Sequence, residues 1–265
     1  MSEPVTMRGF EPFAFTHDAK TRTVYKRGQG PGVVVMHEVP GITPEVARFA
    51  TRVADAGFTV YAPHMFGTPG KPETLGYVLS SMIRCCISRE FKVLAANESS
   101  PITDWLRALC RHAHAECGGL GVGAIGMCMT GNFALALMVD ESVMAPVLSQ
   151  PSLPSPYTRA QREGLHLSPS DLEIVKRRAA AGCTVLALRF TADPLCHAER
   201  FERLRRELGD GVETIEIDSS PGNPHGLPAT AHSVVTRELV DREGHPTRVA
   251  LDRVLAFFKE RMRGG

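Results

Sequence analysis

Short, unbroken apolar runs alternate along this chain with longer stretches in which apolar residues recur every three or four positions. Val33-Val34-Val35-Met36, Phe58 to Ala62, Val122 to Met127, Val143 to Leu148 and Thr184 to Leu188 have the length and composition of strands covered on both faces. Residues 21–26 alternate as an amphipathic N-terminal strand, and Val212 to Ile217 form a further one. The intervening stretches read as helices. In the first, Thr43 is the N-cap, Pro44 fits the first turn, Val46, Phe49, Val53 and Ala54 form one stripe, and Gly57 closes it. Others are expected over Ile102 to His112, behind residue 130, from a Ser170 cap to Ala181, over Ala198 to Leu208, and around Leu251, Val254, Leu255 and Phe258.

Such alternation predicts a mostly parallel sheet with helices on both faces. No repeat, low-complexity tract or linker divides the chain, so residues 1–265 are expected to form a single α/β domain. The Pro/Ser/Gly-rich segments 150–158 and 218–228 read as long loops over one edge of the sheet, where open α/β sheets gather functional residues.

Composition narrows the function classes. Apolar residues make up 43%, enough for a sizeable core in 265 residues. Net charge is only +1 with its cations scattered, which argues against a nucleic-acid or anionic-membrane partner. No stretch approaches 18 apolar residues, and the first residues lack a basic segment followed by an apolar run, so a soluble cytoplasmic protein is expected. Seven cysteines (85, 86, 110, 117, 128, 183 and 196) are an odd number without C-x-x-C spacing. That favours a reducing compartment over a disulfide framework or zinc ribbon. His112 and His114 are two residues apart on an expected helix and therefore diverge, so no metal is expected there.

The chemistry concentrates at Gly126-Met127-Cys128-Met129-Thr130-Gly131. An apolar strand, a glycine-flanked turn with cysteine at its apex and an apolar helix form the layout of a nucleophile elbow. The turn lifts the thiol clear of the sheet, and the following helix aims unpaired N–H groups at it, which favours the reactive thiolate. A base and an orienting acid must follow in chain order. Asp193, in Thr191-Ala192-Asp193-Pro194, sits on a turn just past a strand. Two histidines follow the next strand, His225 in Asn223-Pro224-His225-Gly226 and His232 in Ala231-His232-Ser233-Val234, and spacing alone does not choose between them.

These segments resemble the dienelactone hydrolase family, which places a Cys-His-Asp triad on an α/β-hydrolase fold. The family elbow reads G-x-C-x-G-G, and Thr130 departs from it where a glycine stands; its β-branched side chain is expected to tilt the elbow or narrow the site. A second matching segment is Val35-Met36-His37-Glu38-Val39-Pro40-Gly41. The resemblance implies that Glu38 interacts with the resting thiol and that the backbone N–H groups of Val39 and Met129 form the oxyanion hole. It favours His232-Ser233-Val234 as the histidine segment, with His225 as the alternative base. Family members that open dienelactones clamp the substrate carboxylate with arginines, a role to which Arg84 and above all Arg89 loosely correspond. The implied activity is hydrolysis of a small-molecule ester or lactone through a cysteine thioester, without cofactor, by a monomer or homodimer.

Two other readings compete. Class I glutamine amidotransferases also use a cysteine on a tight strand-to-helix turn, with a later H-x-E that His197-Ala198-Glu199 spells, although these residues open a helix. A non-catalytic binding protein with a vestigial elbow is the other, opposed by the presence of residues for every triad role.

Overall fold

The computed structural model describes residues 7–87, 102–152 and 158–262, with the side chains of 82–87 left aside. Eight strands form one sheet in the order β1-β2-β4-β3-β5-β6-β7-β8. They are β1 (Glu11–His17), β2 (Lys20–Arg27), β3 (Gly32–Met36), β4 (Thr59–Pro63), β5 (Val122–Met127), β6 (Val143–Ser149), β7 (Val185–Phe190) and β8 (Val212–Ile217). β1 pairs antiparallel with β2 and β2 with β4; the other six strands run parallel. The helices are α1 (Pro44–Asp55), α2 (Leu75–Ile87), α3 (Ile102–Cys117), α4 (Gly131–Leu137), α5 (Arg159–Glu163), α6 (Pro169–Ala180), α7 (Ala198–Leu208) and α8 (Pro246–Met262).

The predicted strands all form. β3 shows why its sequence lacks polar alternation: every residue from Gly32 to Met36 is buried. Val33 and Val35 face the layer holding α1 and α8, while Val34 and Met36 face the layer holding α3, α4, α6 and α7. Burial of a strand on both sides selects an unbroken apolar run. Thr43 caps α1 as expected, its Oγ1 accepting from Val46 N–H.

One cap lies elsewhere. α6 starts from Ser168, whose Oγ accepts from Asp171 N–H at 3.1 Å, with Pro169 as the first helical residue; Ser170 is inside the helix. Proline is pre-set for that first position, which puts the cap one residue before it. The β1 strand, α2 and α5 were not evident in the hydrophobic pattern. β1 is an edge strand without a fully buried residue, so its alternation is shallow.

Among the described residues, no helix is long and apolar enough to cross a membrane, and no His/Cys/Asp/Glu group could hold a metal ion. The parallel strands bring the loops after β3, β5, β6, β7 and β8 to one edge of the sheet, as their common direction requires.

Candidate active site

β5 ends at Met127, and one tight helical turn, Cys128–Thr130, leads directly into α4. Cys128 has φ +57°, the left-handed backbone that a nucleophile elbow imposes on a non-glycine residue. Two glycines make the bend sterically possible. A Cβ on Gly126 would lie 2.0 Å from the Thr130 carbonyl oxygen, and one on Gly131 would lie 2.8 Å from Pro151 Cα.

Thr130 behaves differently from the expectation drawn from its shape. It is fully buried and does not line the cleft. Its Oγ1 accepts from Met127 N–H at 2.9 Å and lies 3.0–3.2 Å from the carbonyl oxygens of Met36, His37 and Met127, one of which takes its proton at a time. The hydroxyl therefore ties the elbow to the end of β3. This residue neither narrows the site nor intrudes on it, because its polar atom is consumed between the two strands.

The segment after β3 is fixed by His37. Met65 N–H donates to His37 Nε2 at 3.1 Å, so Nδ1 carries the proton and donates to the Glu38 carbonyl at 3.0 Å. Burial pushes this histidine down to about 3, so it stays neutral. The oxygen it holds belongs to the Glu38–Val39 peptide, whose other end is the Val39 N–H. Fixing one end of a planar peptide fixes the direction of the other.

Asp193 follows β7 on a turn in which its Oδ1 accepts from Leu195 N–H at 2.8 Å. Its Oδ2 lies 2.7 Å from His232 Nδ1, and the carboxylate is wholly buried. The second ring nitrogen, Nε2, is buried with no well-aligned hydrogen bond. Burial disfavours a charged His232, yet Cys128 and Asp193 together outweigh it and hold the imidazole well above its ordinary range. Cys128 and His232 line a cleft of about 350 Å³ together with Val39 and Leu195. His225 is placed elsewhere: it is exposed, its ring 5.5 Å from that of His245, in a turn closed by Asn223. Of the two histidines, the structure brings only His232 to Asp193.

Glu38 also reaches the cleft, but its bonds go to other groups than the thiol. Its Oε2 accepts from Gln150 Nε2 at 3.1 Å and Ser233 Oγ at 2.7 Å, and its Oε1 from Thr236 Oγ1 at 2.5 Å. Burial raises its pKa, against the lowering effect of Thr236, Ser233 and His232. The carboxylate thus links the loops after β3, β6 and β8 around Cys128, Asp193 and His232. Met129 follows Cys128 in the elbow, where its N–H belongs to the first turn. Arg89 lies outside the described residues. The cleft's described arginine is Arg237, ion-paired with Glu73 at 2.7 Å. His197 and Glu199 stand at the start of α7, Glu199 paired with Arg162 at 3.6 Å.

Sequence reasoning missed His37, Gln150, Ser152, Ser233 and Thr236. Ser152 Oγ donates to Cys128 Sγ at 3.3 Å from the loop after β6. His37 and Gln150 directly follow strand ends and Ser233 follows His232, whereas Ser152 and Thr236 carry no such signal.

Comparison with known proteins fits this geometry. Residues 19–262 match the model of the dienelactone hydrolase family. A Saccharomyces cerevisiae protein described as a carboxymethylenebutenolidase is 25% identical over 186 residues, which are 70% of this chain and 66% of that protein. A Klebsiella pneumoniae structure described as a dienelactone hydrolase superposes with TM-score 0.64 at 14% identity, over 95% of this chain and 98% of the other. A dienelactone hydrolase-like promiscuous phosphotriesterase from metagenomic libraries gives TM-score 0.60 at 19% identity, over 96% and 98%. At such identities the structural likenesses speak for the α/β-hydrolase fold alone, while the family match covers nearly the whole sequence. The chain belongs to the dienelactone hydrolase family.

Proposed function

We propose that this chain hydrolyses small-molecule carboxylic esters or lactones through a thioester on Cys128, as a single α/β-hydrolase domain. The observation that carries the reading is the 2.7 Å contact between Asp193 and His232 at the edge of the cleft that Cys128 enters from a left-handed elbow. Asp193 holds the proton of His232 on Nδ1 when the ring is neutral, leaving Nε2 to accept one from the thiol. The raised pKa of His232 favours a protonated ring beside the Cys128 sulfur, ready to donate to a leaving group.

The sulfur attacks the carbonyl carbon, and the N–H groups of Val39 and Met129 hold the resulting oxyanion, each such donor contributing about 3–4 kcal/mol. Collapse expels the alkoxide, which takes the proton from His232. The neutral ring then removes a proton from water, hydroxide attacks the thioester, and the thiolate leaves beside the re-formed imidazolium. A thiolate leaves more readily than an alkoxide, so activated esters, enol esters and lactones suit this site better than amides. Three carboxyl side chains, Glu38, Glu73 and Glu238, line the cleft beside Arg237, which fits an uncharged substrate better than a carboxylate.

The test is a stalled acyl-enzyme. Protein mixed with p-nitrophenyl acetate and quenched early should gain one acetyl mass on the peptide carrying Cys128. Turnover with the label on another residue, or ammonia release from glutamine in its place, would overturn the reading.

A further inference from the structure

Ser152 stands three residues past the end of β6, and its backbone is held from two sides. Its N–H donates to the Cys128 carbonyl at 3.1 Å, and the Ser152 carbonyl accepts from Asn132 Nδ2 at 3.1 Å. Both Ser152 and Asn132 are almost completely buried. With its backbone fixed to the nucleophile's own residue, the Ser152 hydroxyl reaches Cys128 Sγ at 3.3 Å and is the donor in that contact. A buried hydroxyl donor aimed at sulfur favours the state with more negative charge on the sulfur, because the bond strengthens as the acceptor ionises.

We propose that Ser152 is a further catalytic residue: its hydroxyl donates to the Cys128 sulfur and stabilises the thiolate, both as it attacks and as it leaves the thioester. This rests on the cysteine mechanism above. Ser152 transfers no proton; the O–H bond stays intact while the hydrogen bond to sulfur strengthens and weakens with charge. His232 cannot do this work alone, since its proton passes to the departing alkoxide and the ring must then serve water. A second donor keeps the sulfur a competent leaving group through that exchange. Ser152 also determines where the sulfur rests, because the donor is anchored through the nucleophile's own carbonyl.

Ser152→Ala tests the proposal, since neither backbone bond needs the hydroxyl. The measurement is the rate of Cys128 alkylation by iodoacetamide against pH, read by peptide mapping, in wild type, Ser152→Ala and Ser152→Thr. At about pH 6 the alanine variant should react about tenfold more slowly than wild type, and by about pH 10 the two should converge. The threonine variant keeps a hydroxyl and should recover the acid-side rate. A purely packing role would shift the whole profile by one factor and leave its shape unchanged. Superimposable profiles for wild type and Ser152→Ala, or a threonine variant as slow as alanine, would overturn the proposal. Failure of the underlying mechanism looks different: wild-type Cys128 would then react no faster than the other six cysteines at any pH.

Discussion

Replacing Thr130 with valine removes one hydroxyl and keeps the β-branched outline, so it isolates the bonds that tie the elbow to β3. In the wild type that oxygen accepts from Met127 N–H at 2.9 Å and faces the carbonyls of Met36 and His37 at 3.0 and 3.2 Å, with no exposure to solvent. Valine puts a methyl against those carbonyls and takes an acceptor from a buried N–H, a loss of about 1–3 kcal/mol. For a domain of this size, about 2 kcal/mol corresponds to a Tm lower by roughly 4–8 °C. The catalytic effect should be larger in proportion, because Met127 and Thr130 bracket the proposed oxyanion donor Met129. Complete loss of one such donor costs about 10²–10³ in kcat, and a tilted one should cost between tenfold and that ceiling. The assay pairs thermal melts with p-nitrophenyl acetate kinetics for Thr130→Val and Thr130→Ser. Serine retains the hydroxyl and should recover most of the activity, at the cost of a methyl-sized void worth about 1 kcal/mol. A valine variant matching wild type in both Tm and kcat would refute the reasoning.

Two further outcomes follow from the buried groups around Cys128 and His232. Glu38→Gln should fold and retain kcat/KM within about tenfold, since its oxygen can still accept from Gln150 and Ser233 while Thr236 reverses its hydroxyl to accept; Glu38→Ala, which strands those donors, should lose about 2–3 kcal/mol in denaturant melts. A far larger kcat loss in the glutamine variant would show that the charge itself acts on the thiol. His232 has its folded pKa raised above the unfolded value near 6.5, so it binds a proton on folding. Its contribution to stability is then full below that value and lost as pH rises through the elevated folded pKa. Titration of His232 followed by NMR should place its pKa above the ordinary imidazole value in wild type and lower in Cys128→Ala, which removes the strongest raising influence; equal values would contradict the coupling.

The alternation of apolar runs with periodic stretches was enough for the parallel sheet and its two helical layers, because burial of a strand on both faces leaves a direct mark on composition. The elbow was legible for a similarly local reason: strand, glycine, cysteine, glycine and helix are contiguous, and the bend is built within six residues. Asp193 was legible too, since a carboxylate on a turn past an apolar run can only sit at the sheet edge. The two histidines could not be separated, because a loop of more than twenty residues returns wherever packing holds it. Ala231, Val234 and Val235 are fully buried and pull His232 inward, whereas His225 rides an exposed turn closed by its own neighbours. The hydroxyls of Thr130 and Ser152 and the donors on Glu38 were likewise settled by tertiary structure alone. Apart from Met127 beside Thr130, their partners lie 24 to 198 residues away in sequence, and a hydrogen bond between distant segments leaves no periodicity for a sequence to display.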